Sequence, residues 1–348
     1  MKKIIIINGF FGKGNCGDEA ILQTWYDRLS DKFRIIASVD PDIVNCNNEC
    51  KSYELYKNID IIQNRRVDIF CNDIVDSYII GGGGLGLGFG VEQWLHSVLR
   101  NKKKFYLGTI VHEEFSSGNK DLIEINKNFF KSFDMISVRD KVSKYNLKNI
   151  FGVESYQYPD IAFGLEPEII EIKSEKKYVT VTIRDNGVND IDSISNWLNK
   201  IKEYANSLDY DIIYLPFDKT DERLFGQLGL DLKYDNIYWY PKKVKYLISK
   251  SEMVFSLGRY HPLVFGISSG ITSYYINCQP NDAQWRYTEE NKDKSFNLLK
   301  DYDILDYYLT NFDFDSLFKK NENIVNISSK TKIEIDEFFD VLIKKLEV

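Results

Sequence analysis

Short, unbroken apolar runs alternate with amphipathic stretches along the first half of the chain. Residues 4–7, 34–39, 78–80, 105–110 and 135–138 are rich in Ile, Val, Phe and Tyr, and read as strands. Between them the apolar positions recur at helical spacing, which predicts helices over 18–29, 92–100, 122–131 and 141–149. Strands that are apolar throughout, not at every second position, belong to a parallel sheet covered on both faces by crossover helices. The pattern is α/β, with a first Rossmann-like domain over residues 1–165.

A polar, Pro-containing segment, 165–177, then buries little and reads as a linker. A second α/β series follows over 177–320, with strands expected at 178–184, 211–215, 236–239, 253–256 and 272–277. Its helices are expected at 194–207, 221–228, 243–251 and 262–268. Ile333, Ile335, Phe338, Phe339, Leu342 and Ile343 recur on one helical face, so 332–346 is expected to close the fold, within a C-terminal segment 321–348 that packs back on the body. Two Rossmann-like halves with a cleft between them form the architecture called GT-B.

Composition narrows the function classes. The 348 residues are 43% hydrophobic and 28% charged with only 7 prolines, as in an ordinary globular protein. The net charge of −7 repels polyanions, which argues against a nucleic-acid partner, whereas local arginines can still hold a small phosphate or carboxylate. The apolar start at 4–7 is too short for a secretion signal or a membrane span, so a cytoplasmic protein is expected. Cys16, Cys46, Cys50, Cys71 and Cys278 lack paired CxxC spacing, and neither metal nor cofactor is expected.

Four groups of residues carry candidate chemistry. The segment GKGNCGDEA at 12–20 follows the first strand, with Asn15, Asp18 and Glu19 at a helix start, where backbone N–H groups face outward and the carboxylates disfavour a pyrophosphate. A run of glycines from Gly81 through Gly83, Gly84 and Leu85 to Gly90 follows the strand 78–80 and permits a backbone laid against a ligand. Arg139, Arg184 and Arg259 each end an apolar strand, and a guanidinium is a fixed cation suited to phosphate or carboxylate. The alternative for Arg139 and Arg184 is a salt bridge to the adjacent Asp140 and Asp185, or an aspartate that caps a helix beside an idle arginine. Finally, Arg259-Tyr260-His261-Pro262 sets a histidine two residues from an arginine at a proline-started helix, the arrangement expected of a general acid or base. His96 and His112 have no such company.

In their order along the chain, GKGNCGDEA, the glycine run, SVRD at 137–140, PDIAF at 159–163, TIR at 182–184 and R-x-H at Arg259 and His261 resemble the polysaccharide pyruvyltransferase family. The resemblance covers about residues 4–277. It implies a GT-B-like fold and transfer of pyruvate from phosphoenolpyruvate onto two hydroxyls of a sugar, forming a cyclic ketal and releasing phosphate. It further implies that Arg139 and Arg259 hold the donor and that His261 is the general acid, with the glycine run and the N-terminal domain facing the acceptor. Two departures stand out. Tyr260 replaces the usual Leu between Arg and His, and Tyr275-Ile276-Asn277-Cys278-Gln279 replaces a Tyr-Asp-x-Lys stretch, so that Arg286 is the candidate substitute for the lysine.

The donor's chemistry suits these residues. An enol phosphate bearing several negative charges calls for cations that do not titrate, and protonation of its methylene carbon creates a centre that a hydroxyl can attack. Arg259 disfavours the protonated form of His261 and a bound phosphate favours it. Asp18 and Glu19 are the named candidates to deprotonate a hydroxyl. An acceptor built on an undecaprenyl carrier would bring the protein to the inner face of the membrane. The competing readings are a nucleotide-sugar glycosyltransferase and a non-catalytic carbohydrate-binding protein, the latter suggested by 23 Tyr and 22 Phe.

Overall fold

A computed structural model describes residues 2–39, 54–63, 74–83, 101–111, 120–185, 187, 190–277, 294–309 and 323–348. The chain divides into two compact units. Met1–Lys13, Asp18–Ile161 and Glu334–Val348 form the first, and Gly14–Gly17 with Ala162–Ile333 form the second. The expected helix 92–100 and the glycines from Gly84 onward lie outside the described residues, as do His96, His112, Cys46, Cys50, Cys71, Cys278 and Arg286.

The first unit is built on a parallel sheet of β1 (Lys3–Asn8), β2 (Phe33–Val39), β3 (Asp60–Gln63), β4 (Ser77–Gly83), β5 (Lys103–Thr109), β6 (Met135–Val138) and β7 (Tyr156–Gln157). Their order is β3-β2-β1-β4-β5-β6-β7. Its helices are α1 (Cys16–Leu29, whose first two residues count with the second unit), α2 (Glu54–Asn58), α3 (Lys120–Lys131) and α4 (Lys141–Phe151). Ile6, Tyr78, Ile80, Tyr106, Phe130, Leu147 and Phe151 are buried together on one face of the sheet, and the alternate residues Ile5, Ile7, Ile79, Phe105 and Leu107 are buried as well, which is why the strands read as continuous apolar runs. Strand order reverses between β1 and β4. In such sheets the crevice at the reversal is where ligands bind; here the GKGNCGDEA segment follows β1, and Gly81, Gly82 and Gly83 end β4.

The second unit holds β8 (Tyr178–Ile183), β9 (Asp211–Tyr214), β10 (Met253–Leu257), β11 (Ser273–Ile276) and β12 (Tyr308–Leu309) in the parallel order β12-β11-β10-β8-β9. Between and after them run α5 (Ile191–Ser207), α6 (Lys219–Gln227), α7 (Pro241–Ser249), α8 (His261–Ser268), α9 (Lys294–Asp301) and α10 (Asn323–Glu347, whose residues from Glu334 on count with the first unit). The order reverses between β8 and β10. Residues 165–177 carry no helix or strand, yet they are not loose: Glu168 N donates to Lys242 O (3.1 Å) and Lys173 N to Tyr234 Oη (2.7 Å).

One expected strand is a different element. Residues 236–239 hold a 3-10 helix, Ile237–Trp239, because Asn236 takes a left-handed conformation (φ 50°) that ends extended chain and Pro241 opens α7 directly afterwards. The closing helix begins nine residues earlier than the apolar stripe indicates. Ile335, Phe338, Phe339, Leu342 and Leu346 are buried while Ile333 is exposed. In the first unit Trp25 of α1 meets Phe338 and Phe339 edge-on, at 5.8 and 5.3 Å between ring centres.

Candidate active site

Three neighbouring strand ends define the chemistry of the second unit. Arg184 and Asp185 follow β8, Phe217 and Asp218 follow β9 by a few residues, and Gly258-Arg259 follows β10. Gly258 has φ of 81°, a backbone state that strains any residue with a side chain, and its N–H donates to Ile276 O (3.0 Å). The chain thereby turns sharply off β10. His261-Pro262 then opens α8, the proline occupying a position where no N–H is needed.

Arg259 is buried and doubly held. Its Nη2 bonds the carboxylates of both Asp218 and Asp221. Asp221 is fully buried and accepts from Asp185 N (2.9 Å) through Oδ1 and from Phe217 N (3.0 Å) through Oδ2, so one carboxylate ties together the ends of β8, β9 and β10. Asp218 caps α6, its Oδ1 accepting from Thr220 N and Asp221 N, both at 2.9 Å. Burial pushes the Asp221 carboxyl up to about 6, against the pull of Arg259 and with the help of the Asp218 charge. For Asp218, burial acts upward too, but the Arg259 charge and the hydrogen bonds at its cap prevail and hold it below the ordinary carboxylate range. Arg259 is raised beyond its ordinary value: burial opposes its charge and the two aspartates more than restore it. Its Nε–H is buried with no acceptor among the described residues.

His261 lies against the start of α1. A Cβ placed on Gly17 would fall 1.8 Å from His261 Nδ1 and 2.2 Å from its Cγ, so the imidazole occupies the space that a side chain at 17 would need. Asn15 Oδ1 accepts from Gly17 N (3.2 Å) and Cys16 N donates to Phe217 O (2.8 Å), which fixes this short segment to the second unit. Gly14, at φ of 68°, runs beneath the Trp239 ring, which would lie 2.8 Å from an added Cβ. Thus Asn15, Arg184, Arg259 and His261 gather at one edge of the second unit. Arg184 is exposed, and its N–H donates to Leu257 O (2.9 Å). Asp185 pairs with Arg223 (3.0 Å).

The remaining described candidates belong to the first unit. Arg139 is buried in an ion pair with Asp160 of the PDIAF segment; Asp140 instead caps α4, accepting from Ser143 N at 2.7 Å. Glu19 is fully buried and accepts from Gly12 N (2.9 Å) and Tyr56 Oη, so it staples the loop that leaves β1. Asp18 is buried next to it, and Gly83 ends β4. Gly84, Leu85 and Arg286 are outside the described residues. Asp218 and Asp221 were not singled out from sequence. The signal available for them was a pair of carboxylates, three residues apart, just beyond a strand end next to one that ends in an arginine.

The family model for polysaccharide pyruvyl transferase matches residues 15–280. No curated protein matches the sequence. Among solved structures, the chain is similar to a UDP-N-acetylglucosamine 2-epimerase at 10% identity and a TM-score of 0.57, over 99% of this chain and 96% of that one. It is also similar to a putative UDP-N-acetylglucosamine 2-epimerase from Listeria monocytogenes (11% identity, TM-score 0.53, 96% and 91% covered) and to a UDP-glucosyltransferase from Polygonum tinctorium (8%, 0.51, 98% and 98%). At such identities the likeness establishes the fold, two Rossmann-like domains of the GT-B-like kind.

Proposed function

Since the chain belongs to the polysaccharide pyruvyl transferase family, we propose that it transfers pyruvate from phosphoenolpyruvate to two hydroxyls of a sugar in a cell-surface polysaccharide or its lipid-linked precursor. The observation that carries this reading is the pairing, at the reversal point of the second sheet, of a doubly anchored Arg259 with His261 seated on Gly17. Arg259 and the exposed Arg184 supply fixed positive charge for the donor's phosphate and carboxylate, and Arg139, paired with Asp160, is a further proposed donor residue.

In the proposed reaction His261 protonates the methylene carbon of the enol, which leaves an oxocarbenium-like centre at the neighbouring carbon. One sugar hydroxyl adds there. The second displaces phosphate, so that two C–O bonds form, one breaks, and a cyclic ketal results. The two hydroxyl protons balance the one delivered to carbon and the one that leaves with phosphate. Asp18 is the proposed acceptor of a hydroxyl proton, and Glu19 beside it accepts from Gly12 N and Tyr56 Oη. Fixed arginines lower the barrier because they are oriented before charge moves onto the leaving phosphate. Neither cofactor nor metal enters this scheme. The acceptor is proposed to be undecaprenyl-linked and met at the inner membrane face; no helix among the described residues is long and apolar enough to cross a membrane.

The test incubates the purified protein with phosphoenolpyruvate and a panel of lipid-linked oligosaccharides. Phosphate release coupled to an acceptor mass increase for a pyruvate ketal supports the reading. Transfer of a hexose from a nucleotide sugar to the same acceptors overturns it.

A further inference from the structure

Two carboxylates occupy one nitrogen of Arg259 and leave another buried nitrogen of the same guanidinium without an acceptor. Asp218 and Asp221 both bond Nη2, while Nε–H is enclosed with no acceptor among the described residues. An enclosed donor left unmade costs about 1–3 kcal/mol, and its persistence signals a partner that the protein does not itself supply. Asp221 cannot swing away. Its two oxygens are fixed by Asp185 N and Phe217 N, and it is fully buried. Asp218 is fixed by its cap on α6.

We propose that Asp218 and Asp221 are positioning residues that clamp the Arg259 guanidinium by Nη2 and so present its Nε–H to an anionic oxygen of the donor. The proposal rests on the reading of phosphoenolpyruvate as donor and adds to it residues that never touch the substrate. The clamp also explains why an arginine is needed. A lysine ammonium would meet both aspartates at its one nitrogen, with no second nitrogen held in a planar fork to face a ligand.

Asp218 can be tested without disturbing the fold, because Ser and Asn cap a helix as Asp does but carry no charge. Binding of phosphoenolpyruvate alone, measured by calorimetry, is expected to weaken about tenfold or more in Asp218→Ser and Asp218→Asn with the melting temperature close to that of the parent. The Arg259 Nε–H proton resonance is expected to shift on adding phosphoenolpyruvate to the parent protein and to shift less in Asp218→Ser. If both variants bind as the parent does, Asp218 is only a helix cap and the clamp is wrong. If the parent itself binds no phosphoenolpyruvate and binds a nucleotide sugar instead, the functional reading fails first and the clamp's assignment to this donor falls with it.

Discussion

The imidazole of His261 fills the volume that a methyl group on Gly17 would need, with 1.8 Å separating Nδ1 from that position. Two motifs nearly 250 residues apart are thus a single contact. Gly17→Ala must displace a buried ring that is also edge-on to Tyr260 at 5.2 Å. Loss of turnover by about 100-fold or more is expected, since small misplacement of a reacting group has that scale. Steady-state kinetics would check this, with far-UV circular dichroism showing an intact fold.

Glu19 holds a loop, which separates it from a base. Gln retains an oxygen for Gly12 N and an amide for the Tyr56 hydroxyl. Glu19→Gln is therefore expected to keep kcat within about tenfold of the parent, whereas removal of a true base costs about 10²–10⁴. Comparing kcat for the two proteins decides between these roles.

The Arg139–Asp160 pair is buried on both sides, with side chains 1% and 0% exposed. Asp160→Ala removes one member of this buried pair, and a loss of about 3–5 kcal/mol is expected by chemical denaturation. Exposed pairs such as Lys148 with Glu154 should change stability by less than about 1 kcal/mol when one member is removed.

Lys245 sits in α7, only 4% exposed, its Nζ donating to Phe163 O at 3.2 Å. Burial pulls its amine down to about 7, against the Glu166 charge and with the help of Lys332. Between pH 7 and the ordinary lysine range the unfolded chain binds a proton that the folded chain has released, so this group's contribution to stability rises with pH across that window. Below pH 7 its penalty is complete. Lys245→Met should raise the melting temperature most at neutral and acidic pH, and the advantage should shrink towards pH 10; thermal melts of both proteins over that range check the sign.

Much of this fold could be read from the chain because strands enclosed on both faces announce themselves: 135–138 was delimited to the residue, and 178–184 to within one. Short edge strands such as β7 and β12 have too few residues to show any period. Residues 236–239 misled because Ile-Tyr-Trp has the composition of a strand, while the left-handed Asn236 that forbids one is a conformational fact. The arginines and His261 stood out by type and neighbours. Asp218 and Asp221 did not, since their meaning lies in Arg259, some 40 residues further along. Likewise the glycine at 17 was visible, but its reason, a ring supplied from position 261, was not.

Gly14–Gly17 count with the second unit although the rest of that unit begins at Ala162. During synthesis this tetrapeptide emerges from the ribosome well over a hundred residues before the histidine it will support. No single cut can therefore liberate an intact C-terminal half: a fragment starting at Ala162 would possess a full sheet and an unfloored imidazole. Supplying the missing piece as a separate peptide amounts to a complementation experiment, one that the topology itself invites.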